Sequence, residues 1–520
     1  MYSLLIKNAT VIDGTGRPGE VLDVAIEQDK IANIDKNIPP KAHSIIDASG
    51  KTLAPGFIDL QNHSDSYWQI FDNPNLDSLI TQGYTTILLG NCGASLAPLL
   101  SQESLKALQK WHSLEGTNIN WQSFGEFLKE LSQRNFACNL GSLVGYSTLR
   151  RGVVGDQIRS LEKSEYVSIT NILENCLEEG AFGLSNGLSY SHEVIVTELE
   201  LFSLAKVLKK YDALFSVHLR NEGSEIVEAL EEALDISRNT EVNLKISHFK
   251  VRGEENFPKF QQLISELETA YHKGMNVHFD VYPYDTVWQV LYSYLPKWAS
   301  EGGRTGMLRA LNDPVQKNKI LFYLNSLNVR FPELVIASTT NKLSASGKTL
   351  GQIAKAMETT SEEALLELIQ NGGNEILVFE KNLNEEQIRE LLFHPLSLIG
   401  SDGAGFSLKN QTKLVHPRCF GTAPKFLKMA RDTKISVESA IKKLTSAPAK
   451  KAGIKNRGEI KIGNFADLVI FSPELITDQA TYLNPFQFSE GIDSVFVNGR
   501  AVVNEGKITK VLPGKVLRKN

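Results

Sequence analysis

The sequence predicts an α/β fold: a (β/α)8 barrel of the TIM type with an insertion, plus a small β-sandwich formed by both chain termini. Three observations predict it. Apolar, strand-like runs alternate with amphipathic stretches through the middle of the chain, the two ends share a texture of short strands and glycine-rich turns, and polar side chains recur where strands are predicted to end. With 520 residues the chain is long enough for one large domain and a smaller one.

Both ends of the chain read as short strands bounded by Gly, Asn and Asp. Residues 2–50 and residues 458–508 carry period-two or solid apolar runs, which are typical of small antiparallel sheets. Neither end is long enough to bury much surface alone, so we expect the two to pack together. The predicted divisions are 1–53 and 451–520 for the two parts of the sandwich and 54–450 for the barrel.

The middle of the chain shows about eight strand–helix units, which favours a closed barrel. A doubly wound open sheet is the alternative, but no G-x-G-x-x-G follows a strand in the middle of the chain, and GTGRPG at 14–19, which has that spacing, lies in the N-terminal end. A stretch from about 288 to 350 interrupts the alternation, and we expect it to be an insertion in a βα connection, where lids and substrate pockets are built. The strand candidates are 85–91, 136–145, 181–187, 213–219, 243–249, 275–283, 375–379 and 396–403.

Composition excludes several classes of protein. The net charge of -5 gives no electrostatic footprint for nucleic acid or an anionic membrane. The N-terminus lacks the layout of a signal peptide, and no run approaches the roughly 20 apolar residues of a membrane-spanning helix. Four cysteines do not make a disulfide framework, so we expect a cytoplasmic protein. A small molecule is the expected partner, and the oligomeric state is left open.

Five residues suited to binding metal or protons fall at the carboxyl ends of predicted strands: His63, Cys92, His218, His248 and Asp402. In a barrel the carboxyl ends of the strands converge on one face, where the active site lies. One thiolate and two imidazoles, from Cys92, His218 and His248, would give zinc three ligands and leave its fourth position open to water, whose pKa the metal lowers. The alternative is that none of the three binds a metal. Cys92 would then be a small buried apolar side chain, and the two histidines would be hydrogen-bonded residues of the core.

Charged residues near these positions add candidate roles. Asp402 is a candidate acid/base that takes a proton from the attacking water and passes it to the leaving amine, although a turn before a glycine would also use aspartate. The planar fork of Arg418 suits a substrate carboxylate, with a structural salt bridge as the alternative. Arg220 and Lys250 follow His218 and His248 by two residues each and are interpreted as supporting residues.

The motifs that carry these residues resemble one family along the whole chain. LAPGFIDLQNHSD, LLGNCGASLAP, HLRNEG, ISHFK, DVYPYD, IGSDG and HPRCFGTAPKFL are similar to motifs of the N-acyl-D-amino-acid deacylases, or D-aminoacylases, of the amidohydrolase superfamily. The resemblance implies a barrel fused to a sandwich, a tightly bound Zn²⁺, an arginine that binds the substrate carboxylate, and a tyrosine that assists at the substrate carboxylate or the oxyanion. The residues it implies are Cys92, His218 and His248 for zinc, Asp402 for acid/base catalysis, and Arg418 with Tyr282 or Tyr284 for the substrate.

The chain departs from the family pattern at two places. Gln61 stands where the superfamily has the first histidine of a His-x-His pair, and that pair belongs to a second, weakly held metal in the enzymes it resembles. A neutral amide oxygen is a poor zinc ligand, which argues for one zinc, with His63 either a vestige of the second site or an auxiliary ligand. Trp288 follows the YPY segment, where the family has smaller residues, so the side-chain preference stays open.

The sequence therefore predicts zinc-dependent hydrolysis of an N-acyl-D-amino acid to a carboxylate and a free D-amino acid. One alternative is a cyclic amidase similar to hydantoinase or dihydroorotase, against which Arg418 in the HPR motif argues. The other is a homologue that binds metal or ligand without turnover, which the replacement at Gln61 suggests.

Overall fold

The structure is a computed structural model, and it describes residues 1–107, 119–155, 157–190, 192–300, 303–339, 345–372, 376–409 and 413–519. The strands are β1 (Tyr2–Val11), β2 (Glu20–Glu27), β3 (Lys30–Asp35), β4 (Ala42–Asp47), β5 (Thr52–Pro55), β6 (Phe57–Asp59), β7 (Tyr84–Leu89), β8 (Asn139–Ser142), β9 (Val144–Gly145), β10 (Gly183–Gly187), β11 (Leu214–His218), β12 (Asn243–Ile246), β13 (Val277–Val281), β14 (Thr286–Val290), β15 (Val335–Ser338), β16 (Leu377–Lys381), β17 (Ser397–Ile399), β18 (Leu468–Phe471), β19 (Ile492–Val497), β20 (Arg500–Asn504) and β21 (Lys507–Ile508).

The helices lie between the strands of the middle of the chain and after its last strand there. They are α1 (Gln69–Asp72), α2 (Asp77–Ile80), α3 (Phe124–Ser132), α4 (Tyr146–Val154), α5 (Lys163–Glu178), α6 (Glu198–Lys210), α7 (Ile226–Thr240), α8 (Phe260–His272), α9 (Gly303–Asn312), α10 (Pro314–Ser326), α11 (Leu350–Ala356), α12 (Ser361–Gly372), α13 (Glu385–Phe393), α14 (Arg418–Asp432), α15 (Val437–Leu444) and α16 (Ser446–Ala452). Among the described residues, none of these helices is long and apolar enough to cross a membrane.

Parallel strands form the closed ring that positions the site. β17, β13, β12, β11, β10 and β9 pair in that order, and β6, β7 and β8 form a second parallel sheet. β9 follows β8 directly, and a parallel bridge between Asn62 and Gly403 joins the chain after β6 to the chain after β17. The backbone N–H of Asp402 donates to the carbonyl of Gln61 at 2.8 Å across this seam. The predicted α/β barrel of the TIM type is confirmed.

Burial explains why these residues form barrel strands. β7, β10, β11 and β12 are buried along their whole length, as expected when helices cover one face and the barrel interior the other. The helices carry the matching pattern: α7 buries Ile226, Leu230, Ala233 and Ser237 on one face. The strands and helices together therefore bury one large apolar cluster, and a second, smaller cluster includes Ile58, Leu214 and Leu398 of the barrel strands.

Both chain ends contribute to a separate nine-stranded sheet, in the order β21-β20-β19-β18-β5-β1-β2-β3 with β4 beside β1. The two ends meet where β18 runs antiparallel to β5, pairing Ile470 with Leu53. Leu4 and Leu53 from the first end and Leu468 from the second share one apolar cluster. The expected meeting of the two ends is thus observed, while their packing as a sandwich and the three domain boundaries stay predictions.

One predicted barrel strand is wrong, and the insertion is larger than expected. Residue 375 lies outside the described residues, and the rest of the segment predicted at 375–379 overlaps the start of β16, which pairs antiparallel with β14 and β15 outside the barrel. With α9 to α12 these strands surround their own apolar cluster, so the insertion extends from Thr286 to Lys381. A short apolar run has the same pattern in a barrel strand and in a strand of a separate sheet, so the sequence does not distinguish the two. β6, only three residues long, completes the barrel instead.

The burial of His278 on β13 should make the stability of the fold depend on pH. Burial and the positive charges of Lys451, Lys443 and Lys450 lower the pKa of His278 to about 3, whereas an unfolded histidine has a pKa near 6.5. Between these values the unfolded chain binds a proton that the folded chain does not. Stability therefore decreases as the pH falls from about 6.5 towards 3.

The replacement His278→Gln should make the urea midpoint of unfolding less dependent on pH in that window. His43→Gln, at an exposed position on β4, is the matched control and should leave the profile unchanged. An unchanged profile for His278→Gln would show that His278 does not supply this dependence.

Candidate active site

Three of the residues singled out in the sequence have a left-handed backbone. Cys92, His248 and Asp402 have φ angles of 51, 36 and 48°, and each lies two or three residues beyond the end of a barrel strand. Such angles are uncommon for residues other than glycine and cost on the order of 1–3 kcal/mol. Tight turns of this kind at the carboxyl ends of β7, β12 and β17 direct the three side chains to the same face of the barrel.

The ligand atoms of Cys92, His218 and His248 lie within 4.8 Å of one another, and all three residues are buried. Cys92 Sγ is 3.5 Å from His248 Nε2, and the two imidazole rings are 4.4 Å apart between centroids. A tetrahedral ion with a sulfur ligand at about 2.3 Å and a nitrogen ligand at about 2.0–2.1 Å spaces those two ligand atoms by about 3.5 Å. The observed separation therefore fits a tetrahedral metal ion.

A second group shares the same thiol. His63, Cys92 and Asp402 also place their ligand atoms within 4.8 Å of one another. His63 Nε2 lies 3.0 Å from Asp402 Oδ1 and 3.9 Å from Cys92 Sγ. The five residues predicted to converge at the strand ends do converge, and the thiol is the atom that the two groups have in common.

The surroundings of Cys92 favour the thiolate. Burial alone would raise the pKa of its thiol, but the charge of His248 and hydrogen bonds with His218, His248 and His63 outweigh burial and hold the pKa well below the usual range. Gln61 Nε2 adds a hydrogen bond to Cys92 Sγ at 3.2 Å. A thiolate is the form of cysteine that binds metals, so the residue is prepared for that role.

Asp402 is held as a carboxylate. Burial would raise its pKa, but Arg418, His248 and His63 lower the pKa well below the ordinary value. Arg418 Nη2 lies 2.8 Å from Asp402 Oδ2, opposite the contact of His63 with Oδ1. A buried, ionised carboxylate next to the two ligand groups can accept a proton at neutral pH.

His248 is oriented by a carboxylate behind it. His248 Nδ1 lies 3.1 Å from Glu222 Oε1 and 2.9 Å from Lys250 Nζ. An ammonium has only hydrogens to donate, and a ring that binds metal through Nε2 carries its proton on Nδ1. The contact consistent with metal binding is therefore donation from Nδ1 to Glu222, while Lys250 Nζ donates to Glu222 at 2.5 Å. Such an arrangement fixes both the tautomer and the orientation of a ligating histidine.

Arg418 has a buried donor without a partner among the described residues. Its guanidinium lies 4.7 Å from the centre of the Tyr282 ring and 5.8 Å from that of Trp288. Among the described residues, its buried Nε has no hydrogen-bond partner. A buried donor that lacks an acceptor within the protein is suited to an acceptor on a ligand.

Two predicted residues lie apart from this cluster of contacts. The hydroxyl of Tyr284 donates to Asp478 Oδ2 at 3.4 Å, so of the two candidate tyrosines Tyr282 is the one over Arg418. Arg220 pairs with Glu232 at 2.7 Å and donates to two backbone carbonyls of residues 194 and 196. Arg220 thereby links the end of β11 to α7 and to the loop before α6.

Two further buried charged residues, to which the sequence motifs assign no role, also contact the site. Asp280 Oδ1 accepts a hydrogen bond from the backbone N–H of His248 at 2.6 Å, and Lys245 Nζ donates to Gln61 Oε1 at 2.6 Å. Each stands at a buried position of a short barrel strand, VHFDV for Asp280 and NLKI for Lys245. A charge within such a strand is the signal that marks them in the sequence, because charged residues are rarely fully buried unless paired.

Comparisons with known proteins agree with this geometry. A family model described as the amidohydrolase family matches residues 357–502. A D-aminoacylase of Alcaligenes xylosoxydans xylosoxydans is 32% identical over 99% of this chain and 97% of its own length. The chain belongs to the D-aminoacylase family of amidohydrolases. This membership confirms the prediction of a metal-dependent hydrolase that acts on linear amides.

Solved structures of the D-aminoacylase family share the whole fold. An N-acyl-D-glutamate deacylase from Bordetella bronchiseptica, crystallised with zinc and a phosphonate that mimics the tetrahedral intermediate, is 27% identical, with a TM-score of 0.84 over 99% of both chains. A D-aminoacylase described as having a binuclear metal centre, activated by one metal and attenuated by the second, is 29% identical, with a TM-score of 0.84 over 100% of both chains.

Close packing around Gly93 should be essential to the turn that holds Cys92. A Cβ on Gly93 would lie 2.0 Å from Glu193 Oε1, and that carboxylate is fixed by Ser147 Oγ at 2.7 Å and the backbone N–H of Gly187 at 2.8 Å. Gly93→Ala should therefore cost about 1–3 kcal/mol for the overlap, in addition to about 1–2 kcal/mol for its positive φ.

Gly50 provides the matched control for this measurement. Its φ of 74° is close to the 78° of Gly93, but nothing lies within 4 Å of a Cβ added there. Gly50→Ala should show only the cost of the backbone in urea unfolding, with Gly93→Ala less stable than it. Equal midpoints would mean that the turn after β7 has room that the structure does not show.

Proposed function

We propose that this protein hydrolyses the amide bond of N-acyl-D-amino acids, with one zinc ion held by Cys92, His218 and His248. The observation that carries the proposal is the gathering of these three ligand atoms within 4.8 Å of one another, beside the buried carboxylate of Asp402. Relatives named as deacylases of N-acyl-D-aspartate and N-acyl-D-glutamate, 31% and 29% identical over 99% of this chain, support the substrate class.

The donor set suits zinc and its chemistry. One thiolate and two imidazoles are typical zinc ligands, and three protein ligands leave a position open for substrate or water. Zinc bound there would polarise the amide carbonyl and lower the pKa of water. Glu222 holds His248 in the orientation that this coordination needs.

Asp402 performs the proton transfers in this proposal. Water attacks the carbonyl carbon, and Asp402 accepts the proton that the water loses. The same carboxyl then donates that proton to the amide nitrogen as the C–N bond breaks, which releases a carboxylic acid and a free amine. Arg418 and His63 keep Asp402 ionised before the attack, because both lower its pKa.

Arg418 binds the substrate carboxylate. Its Nη2 is engaged by Asp402, but the buried Nε has no acceptor among the residues described here, and planar donors of this type bind carboxylates well. Tyr282 covers the guanidinium from one side and so limits the directions from which a carboxylate can approach. The substrate is thereby placed with its carboxylate at Arg418 and its amide beside Asp402.

Hydrolysis is tested by the release of free amine from N-acetyl-D-amino acids and their L enantiomers. Zinc-loaded wild type should release amine from the D forms, and Asp402→Asn should lower kcat by about 10²–10⁴-fold, because the amide cannot accept the proton. Zinc content should be unchanged in this variant, since Asp402 is not one of the three proposed ligands.

Asp493→Asn is the control for this replacement, because Asp493 pairs with Lys51 in the terminal sheet, away from the barrel face. Its turnover should match the wild type. Near-normal turnover by Asp402→Asn would remove Asp402 from the role of acid/base. Tight zinc binding by the wild type without amine release from any N-acyl amino acid would contradict the proposed activity.

A further inference from the structure

A row of buried polar side chains connects the barrel interior to the thiol of Cys92. Lys245 and Asp280 form an ion pair with side chains 0% and 1% exposed. Lys245 Nζ also donates to Gln61 Oε1 at 2.6 Å, and Gln61 Nε2 donates in turn to Cys92 Sγ at 3.2 Å. Gln61 is itself fully buried. Each member of this row therefore contacts the next one directly.

The ammonium of Lys245 determines which way the amide of Gln61 faces. An ammonium has three donors and no acceptor, so the atom of Gln61 that it contacts must be the oxygen. The amide N–H group is then directed at Cys92 Sγ. Gln61 consequently presents a donor to the thiol side of the site, and its oxygen, the only atom that could bind a metal, is already engaged.

The other possible metal ligands next to Cys92 are also engaged by cations or hydrogen-bond donors of the chain. His63, Cys92 and Asp402 could accept a metal ion by distance alone. Asp402 Oδ2, however, is paired with Arg418 Nη2 at 2.8 Å, and the thiol receives the N–H of Gln61. The negative charge that would attract a second divalent ion is therefore already compensated by residues of the chain.

We propose that Lys245, acting through Gln61, replaces a second metal ion, so that the site binds a single zinc. The inference rests on the proposed zinc site of Cys92, His218 and His248. It concerns the neighbouring group only: the amide N–H of Gln61, fixed in direction by the ammonium of Lys245, occupies the side of the shared thiolate that a second cation would otherwise approach. Lys245 and Gln61 are thus positioning residues, which do not contact the substrate.

The replacement of a second metal ion by Lys245 and Gln61 has a consequence for activity. A related D-aminoacylase is described as attenuated by its second metal. A chain that cannot take a second ion keeps its single-metal state over a wide range of zinc concentrations, so excess zinc should not lower its rate of amide hydrolysis. Asp280 stabilises the single-metal arrangement, because its Oδ2 pairs with Lys245 and its Oδ1 accepts a hydrogen bond from the backbone N–H of His248.

Zinc binding to the metal-free full-length chain tests the inference without reference to turnover. Equilibrium dialysis of the wild type against increasing zinc, with metal counted by mass spectrometry, should reach a plateau at one ion per chain. The double variant Gln61→His and Lys245→Gln should reach two, because it gains an imidazole and loses the ammonium, while the new amide still offers Asp280 an N–H donor. Lys451→Gln removes another buried lysine, bound to Asn276, and should remain at one.

Each outcome decides between the alternatives. A wild-type plateau at two ions, or a folded double variant that stays at one, would overturn the inference. A wild type that binds no zinc would overturn both this inference and the proposed metal site. Should the double variant not fold, the wild-type plateau still decides, together with the rate of amide hydrolysis at one and at ten equivalents of zinc: a constant rate supports a single ion, and a rate lowered several-fold contradicts it.

Discussion

The thiol of Cys92 has to be both buried and ionised. Burial in an apolar barrel raises the pKa of a thiol, yet only the thiolate binds metal. The three histidines reverse the effect of burial, and they can do so only because the carboxyl ends of four barrel strands bring them within contact of one sulfur. The left-handed turn at Cys92, packed against Glu193 by way of Gly93, holds that sulfur in place.

Charge compensation extends from the thiolate through the whole site. An unpaired charge in the interior is strongly unfavourable, so a buried acid that is ionised needs a partner. Asp402 is paired with Arg418, Glu222 with Lys250, and Asp280 with Lys245. As a result, the substrate face carries an ionised Asp402 and a donor on Arg418 that has no partner in the described part of the chain. The thiolate of Cys92 accepts a hydrogen bond from Gln61, which stands where a further metal ligand would otherwise be. Such buried pairs fix the positions of the side chains more than they add to the stability of the fold.

Much of the barrel and the site was predictable from the sequence, for a physical reason. Strand ends in a parallel barrel converge, so His218 and His248 could be grouped from their positions after apolar runs alone. The segment now assigned to β16 was misplaced because a five-residue apolar run carries no information on its partners. Arg220 and Tyr284 lie next to site residues in the chain, but their side chains turn to Glu232 and Asp478. Lys245 went unassigned because its role depends on a contact with Gln61, 184 residues away.

The central claim, that zinc is bound by one thiolate and two imidazoles, is tested most directly by X-ray absorption at the zinc edge. Wild type loaded with one equivalent of zinc should show one sulfur at about 2.3 Å and nitrogen or oxygen neighbours at about 2.0–2.1 Å. The sulfur shell should be absent from Cys92→Ser. A wild-type spectrum with only nitrogen and oxygen neighbours would contradict the account.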